Sequence, residues 1–283
     1  MRRAWVDVEG TRIHYLDHGG EGPTLIMTHG LTANARFFDG LAARLSPNTR
    51  LVSVDLRGRG LSDEPDGGYA LDDHAGDVLG LLDHLGIEKA NIGGHSYGGL
   101  LTYHMAAHHP ERVERCVVID TPVEVDESIL MQIKPSLDRL GQVQPSWEAY
   151  IAAVKSQPFF DDWWEPRVED YYRADVLTNP DGSVQSRSHP DHIRQAAEGT
   201  IGMPWERYRR EIDAPILLIR ATRRFGPPGA PPLLGAEDAR AAIAEMRYGR
   251  LAEIDGNHYS LLFGERAIET ARVIEEFLCE GVE

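Results

Sequence analysis

Ala90-Asn91-Ile92-Gly93-Gly94-His95-Ser96-Tyr97-Gly98-Gly99 reads as a short strand that runs into Gly-x-Ser-x-Gly and straight out into a helix. Turning a strand into a helix within three residues forces the middle residue into strained backbone geometry, so Gly94 and Gly98 stand where side chains would collide. Ser96 is left at the tip of the bend, at a helix N-terminus whose free N–H groups favour negative charge on a nearby oxygen. The adjacent side chain of His95 must diverge from Ser96 at so sharp a turn, which makes His95 a structural residue.

Outward from this turn, the strand-then-helix unit recurs. Residues 23–28 precede a helical spacing over 35–45, 50–55 precede 72–85, and 98–109 precede a strand at 115–120. Near the other end, a strand at 215–222, a helix at 237–246, a strand at 250–254 and a helix at 265–278 repeat the pattern. Ile268, Ala271, Ile274 and Leu278 form the expected apolar stripe of the last helix. Two alternating runs around Glu9-Gly10 read as an edge hairpin. The fold class is therefore α/β, a mostly parallel central sheet flanked by helices.

Residues 1–121 and 211–283 make the core, and 122–210, where the rhythm stops, are an inserted helical cap. The insert holds ten of the 22 aromatic residues in 89 of 283 positions, which makes it the candidate wall of an apolar site.

Charge narrows the range of partners. Twenty-nine Lys and Arg against 45 Asp and Glu leave a net charge of −16, which repels phosphate backbones and anionic lipid alike, so neither nucleic acid nor membrane is expected. No apolar run reaches the roughly 18 residues of a membrane span. Asp7, Glu9 and Arg12 stand where a signal peptide's apolar region would follow Arg2-Arg3, so the mature chain is expected to start at Met1. Cys116 and Cys279 lack metal or redox spacing and read as buried thiols of a cytoplasmic protein. Composition is silent on oligomeric state.

A serine hydroxyl is a poor nucleophile at neutral pH and needs a base that takes its proton and returns it to the leaving group. Histidine titrates in the right range. Among twelve histidines, His258 stands just after the last strand, which parallel topology places along the same sheet edge as Ser96. His108-His109 ends a helix before Pro110, and His189 with His192 sits in a polar loop without a supporting carboxylate, so no metal is expected. No glycine-rich phosphate or dinucleotide loop is present, and no cofactor is expected.

With these motifs in their order and spacing, the sequence resembles the α/β-hydrolase superfamily over most of its length outside 122–210. His29-Gly30-Leu31 is similar to that family's oxyanion loop, Asp55-Leu56-Arg57-Gly58-Arg59-Gly60-Leu61-Ser62-Asp63 to its D-x-R-G-x-G-x-S-D loop, and Asp255-Gly256-Asn257-His258 to its histidine turn. The resemblance implies oxyanion donors at the backbone N–H groups of Leu31 and Tyr97. It also implies a third catalytic member, a carboxylate that orients the histidine.

Here the sequence departs from the family pattern. After the strand Pro215-Ile216-Leu217-Leu218-Ile219, where most members carry the acid, stand Arg223 and Arg224 and the proline-rich stretch 226–235. A minority of the family places the acid one core strand earlier, and Asp120 ends that strand in this chain, so Asp120 is the choice. Glu237 and Asp238 remain rivals, although acids in a first helical turn also suit the helix dipole. Asp255 lies too close to His258 in sequence to be preferred.

The expected function is a cofactor-free serine hydrolase that cleaves a carboxylic ester or lactone through an acyl-enzyme. A perhydrolase or haloperoxidase activity and carbon–carbon bond hydrolysis share the same triad. A ligand-binding protein on a hydrolase scaffold is the alternative of another class. Phe37, Phe38, Trp163 and Trp164, together with Tyr97, are the aromatics expected to line the substrate pocket.

Overall fold

Strands β1 (Arg2–Val8) and β2 (Thr11–Asp17) pair antiparallel from Arg2 opposite Asp17 to Val8 opposite Thr11. Glu9 and Gly10 turn the hairpin at φ 51° and 87°, the left-handed pair that matches the twist of the flanking strands. This is a computed structural model, and it describes residues 1–45, 47–160 and 163–279.

The alternation then runs through β3 (Thr24–Thr28), α1 (Asp39–Leu45), β4 (Arg50–Val54), α2 (Leu71–His84), β5 (Ala90–His95), α3 (Tyr97–His108) and β6 (Val113–Ile119). The insert follows: α4 (Glu127–Asp138), β7 (Val143–Gln144), α5 (Trp147–Lys155), α6 (Pro166–Asp175), β8 (Val176–Thr178), β9 (Val184–Ser186), α7 (Pro190–Glu198) and α8 (Trp205–Glu211). The chain returns to the core with β10 (Ile216–Ala221), α9 (Ala236–Glu245), β11 (Gly249–Ile254) and α10 (Arg266–Cys279).

Eight strands form one sheet in the order β1-β2-β4-β3-β5-β6-β10-β11, parallel from β4 onward. The order reverses at β3. Helix α1 leads from β3 to β4 on one side, and α2 carries the chain back to β5 on the other. A crevice opens beyond the strand ends at such a switch point. Alternate residues of each central strand feed opposite faces. Leu217 and Ile219 join one apolar core, with Val117 and Ile119, while Ile216 and Leu218 join the other, with Cys116 and Val118. Both faces are dry, so these strands read as continuous apolar runs.

Several expectations need correction. The insert is not purely helical: β7, β9 and β8 form a three-stranded antiparallel sheet. Its strands are only two or three residues long, too short for alternation to register. Helix α10 buries Ala267, Thr270, Ala271, Ile274 and Phe277, whereas Ile268 is 49% exposed, one residue off the stripe that faces the sheet. The helix expected from Ala35 opens with a 3-10 turn over Ala35–Phe38 and becomes α-helical only at Asp39. Cys116 is buried, but Cys279 is exposed. Among the described residues, no helix is long and apolar enough to cross a membrane.

Candidate active site

Ser96 caps α3 at φ 54° and ψ −117°. A Cβ on Gly94 would lie 2.1 Å from the Gly98 carbonyl, and one on Gly98 would lie 2.0 Å from the Thr28 oxygen of the neighbouring strand. The bend therefore closes only with hydrogen at both positions. Ser96 N–H donates to the Ile119 carbonyl at 3.0 Å, and the Thr121 hydroxyl donates to the Ser96 carbonyl at 3.1 Å. The turn is thus braced against the end of β6.

Asp120 ends the same strand and is the second strained residue, at φ 44°. Its backbone N–H donates to the Ile219 carbonyl at 2.7 Å, and its Oδ1 accepts the Ala221 N–H at 2.9 Å. These two bonds tie it to β10 and aim Oδ2 at His258 Nδ1, 2.8 Å away. Both side chains are buried. The carboxylate holds the proton on Nδ1 and leaves Nε2 as the acceptor. Burial pushes His258 below the usual histidine range, so the ring is neutral, and raises Asp120 against the pull of the Ala221 N–H. Glu237 and Asp238 sit exposed on the first turn of α9, and among the described residues neither bonds to His258. Asp255 is occupied by Arg223 at 2.6 Å.

His95 acts on the backbone. Its Nε2 lies 2.9 Å from the His258 carbonyl, and the two rings lie tilted at 40° with centroids 4.1 Å apart. Asn257 braces the same loop: its Oδ1 accepts the N–H groups of Tyr259 and Ser260, and its Nδ2 donates to the Phe159 carbonyl in the insert.

The loop His29-Gly30-Leu31 is held just as closely. His29 Nδ1 donates to the Gly30 carbonyl at 2.8 Å, and its Nε2 accepts the Leu56 N–H at 3.1 Å. Arg59, fully buried, donates to the Leu31 carbonyl at 3.2 Å. Register pairs Thr28 with Gly94, so Leu31 and Tyr97 emerge from adjacent strand ends. Among the described residues, neither of their N–H groups has a protein acceptor, and both are free to stabilise an oxyanion.

Two small apolar compartments meet at Leu31, Ser96 and Ile133. The first also holds His258, Phe37, Phe225 and Tyr259. The second runs past Tyr97 toward Pro122 and Leu233. Phe37 and Tyr97 line these compartments, whereas among the described residues Phe38, Trp163 and Trp164 line neither. Phe38 is fully buried in the core beneath α1. Trp163 donates Nε1 to the Phe159 carbonyl and packs on Phe263. Trp164 packs on Phe160 under the Lys155 ammonium.

The walls that sequence reasoning missed are Ile133, Phe225 and Tyr259. Phe225, in the loop expected to carry the acid, packs on His258 with centroids 4.7 Å apart. No local signal marked it.

A latch in the insert was equally invisible in sequence. Arg139 donates to the Thr32 carbonyl of the oxyanion loop at 2.8 Å, to the Tyr150 hydroxyl at 3.1 Å and to buried Asp175. The objection that His189 and His192 lack a carboxylate also fails, because Glu64 of the core reaches them.

Comparison with known proteins agrees with this geometry. The sequence profile described as alpha/beta hydrolase fold matches residues 23–222. The chain is 33% identical over 249 residues to 3-oxoadipate enol-lactonase 2 of Acinetobacter baylyi, covering 88% of this chain and 86% of that protein. It is 30% identical over 204 residues to 2-(acetamidomethylene)succinate hydrolase of Mesorhizobium japonicum, 71% of each. A crystal structure of E-2-(acetamidomethylene)succinate hydrolase superposes with a TM-score of 0.82 at 24% identity, covering 99% of both chains. A strained serine turn, a histidine after the last strand and a matching family profile lead to one conclusion: the chain belongs to the α/β-hydrolase family.

Proposed function

We propose that the protein is a serine hydrolase that cleaves an uncharged carboxylic ester or lactone through an acyl-enzyme. The observation that carries this reading is the buried contact between Asp120 and His258 beside the pocket that also holds Ser96.

In this reading, Ser96 Oγ attacks the carbonyl carbon while its proton passes to His258 Nε2, and Asp120 stays ionised and steadies the imidazolium. The carbonyl oxygen takes the negative charge and the N–H groups of Leu31 and Tyr97. Collapse breaks the carbon–oxygen bond, and the leaving alkoxide takes the proton from His258. Water then repeats the sequence on the acyl-Ser96 ester and releases a carboxylic acid. Among the described residues Ser96 Oγ has no hydrogen bond, as is common before substrate tightens such a site. Two compartments meeting at the nucleophile suit the two substituents of an ester carbonyl, or the two arms of a lactone ring.

The names of the relatives, an enol-lactonase and a succinate hydrolase, support carbonyl cleavage. Their substrates are named as carboxylates, but among the described residues no lysine or arginine lines either compartment. Burying a carboxylate there would cost several kcal/mol, which favours a neutral substrate. Short-chain p-nitrophenyl esters test the reading. Wild type is expected to turn them over, and Ser96→Ala to lose at least about a thousandfold in kcat. Equal activity in the two would overturn it.

A further inference from the structure

Glu64, in the core loop after β4, and His189 and His192, at the start of α7 in the insert, bring one donor atom each to within 4.8 Å of one another. The two histidines are three residues apart on one face, with rings 5.0 Å apart. The carboxylate comes from 125 positions earlier in the chain. Glu64 Oε1 lies 2.9 Å from His192 Nδ1. That contact lacks hydrogen-bond geometry, so Nδ1 is buried with no hydrogen-bond partner. A buried ring nitrogen that makes no hydrogen bond is costly, and a cation shared with the facing Glu64 carboxylate would satisfy it.

The surroundings hold these donors in place. The His192 ring stacks on Tyr69 at 4.3 Å and 13°, and the Tyr69 hydroxyl donates to the Pro65 carbonyl at 2.6 Å. His189 Nδ1 accepts the Asp191 backbone N–H at 3.3 Å, which fixes that ring at the start of α7. Glu64 and His189 are exposed, so an ion can enter.

We infer that Glu64, His189 and His192 form a binding site for a divalent transition ion of the zinc type, clamping the insert to the core. Two imidazoles and one carboxylate match zinc's preferred donors and leave a fourth position for water. Calcium and magnesium, which want oxygen ligands, do not fit this set. Tetrahedral bonds of about 2.0–2.2 Å put donors about 3.3 Å or slightly more apart, which small rotamer changes of the exposed Glu64 and His189 side chains reach while His192 stays on Tyr69.

The test is a titration of tag-free protein with ZnCl₂, followed by calorimetry and by thermal melting. Wild type is expected to bind one equivalent and to gain several degrees in Tm at saturating zinc, with no gain from MgCl₂ or CaCl₂. His192→Phe keeps the ring on Tyr69 but removes the donor. This variant, His189→Ala and Glu64→Gln should each weaken zinc at least tenfold while metal-free Tm and basal ester hydrolysis stay as in wild type. Absence of binding by wild type, or zinc affinity retained in all three variants, would overturn the proposal.

Discussion

Asp120 and His258, 138 positions apart in the chain, meet at 2.8 Å because Asp120 adopts a left-handed backbone at the end of β6 and its other carboxylate oxygen is held by the Ala221 N–H. A residue in such strain persists only when its surroundings over-determine it, and the cost is about 1–3 kcal/mol. Here the neighbouring strand supplies both restraining bonds, so the carboxylate points one way only.

Asp120→Asn therefore tests its role directly. The amide preserves size and one acceptor, but an NH₂ group facing Nδ1 favours the wrong imidazole tautomer. We expect kcat to fall between about 10²- and 10⁴-fold, with an unchanged circular dichroism spectrum and melting curve. Near-wild-type turnover would transfer the role to Glu237 or Asp238.

Burial sets the direction of the pH response. The charged imidazolium is penalised in the closed site, so the folded-state pKa of His258 lies below its ordinary value of 6.5. A base with a lowered pKa stays unprotonated to lower pH, so activity is present above that pKa and is lost as pH falls through it. The acid limb of kcat/KM should lie below pH 6.5. A limb centred at or above 6.5 in a pH-rate series would show that the ring is solvated in the working enzyme.

Charge selection follows from the pocket walls. A neutral lactone should exceed its carboxylate-bearing analogue in kcat/KM by at least about tenfold, because no cation awaits the anion and its desolvation goes uncompensated. Paired substrates of equal ring size measure this, and a preference for the anionic member would refute the neutral assignment.

Arg139 offers a test of stability. Arg139→Met leaves the buried Asp175 carboxylate, among the described residues, with side-chain hydrogen bonds from Tyr150 and Ser186 alone, and breaking a buried pair in this way costs about 3–5 kcal/mol. Urea unfolding should register that loss. Adding Asp175→Leu should recover part of it, since removing both charges is far less costly than stranding one.

The serine turn, the strand–helix rhythm and the histidine beyond the last strand were legible because each rests on neighbours in sequence. Gly94 and Gly98 are required by a bend five residues long, and the apolar runs of β6 and β10 reflect burial on two faces. The short strands of the insert carried no such signal, since two or three residues cannot show a period.

Tertiary contact governed everything that depends on distant partners. Which carboxylate reaches His258, why Phe225 and Tyr259 line the compartment beside Ser96, and how Glu64 comes to stand beside His189 and His192 all depend on strands and loops brought together from far apart in the chain. Side-chain chemistry is written locally, but the company each side chain keeps is set by packing. Packing is a property of the whole sheet and its insert, and no short stretch of the chain contains it.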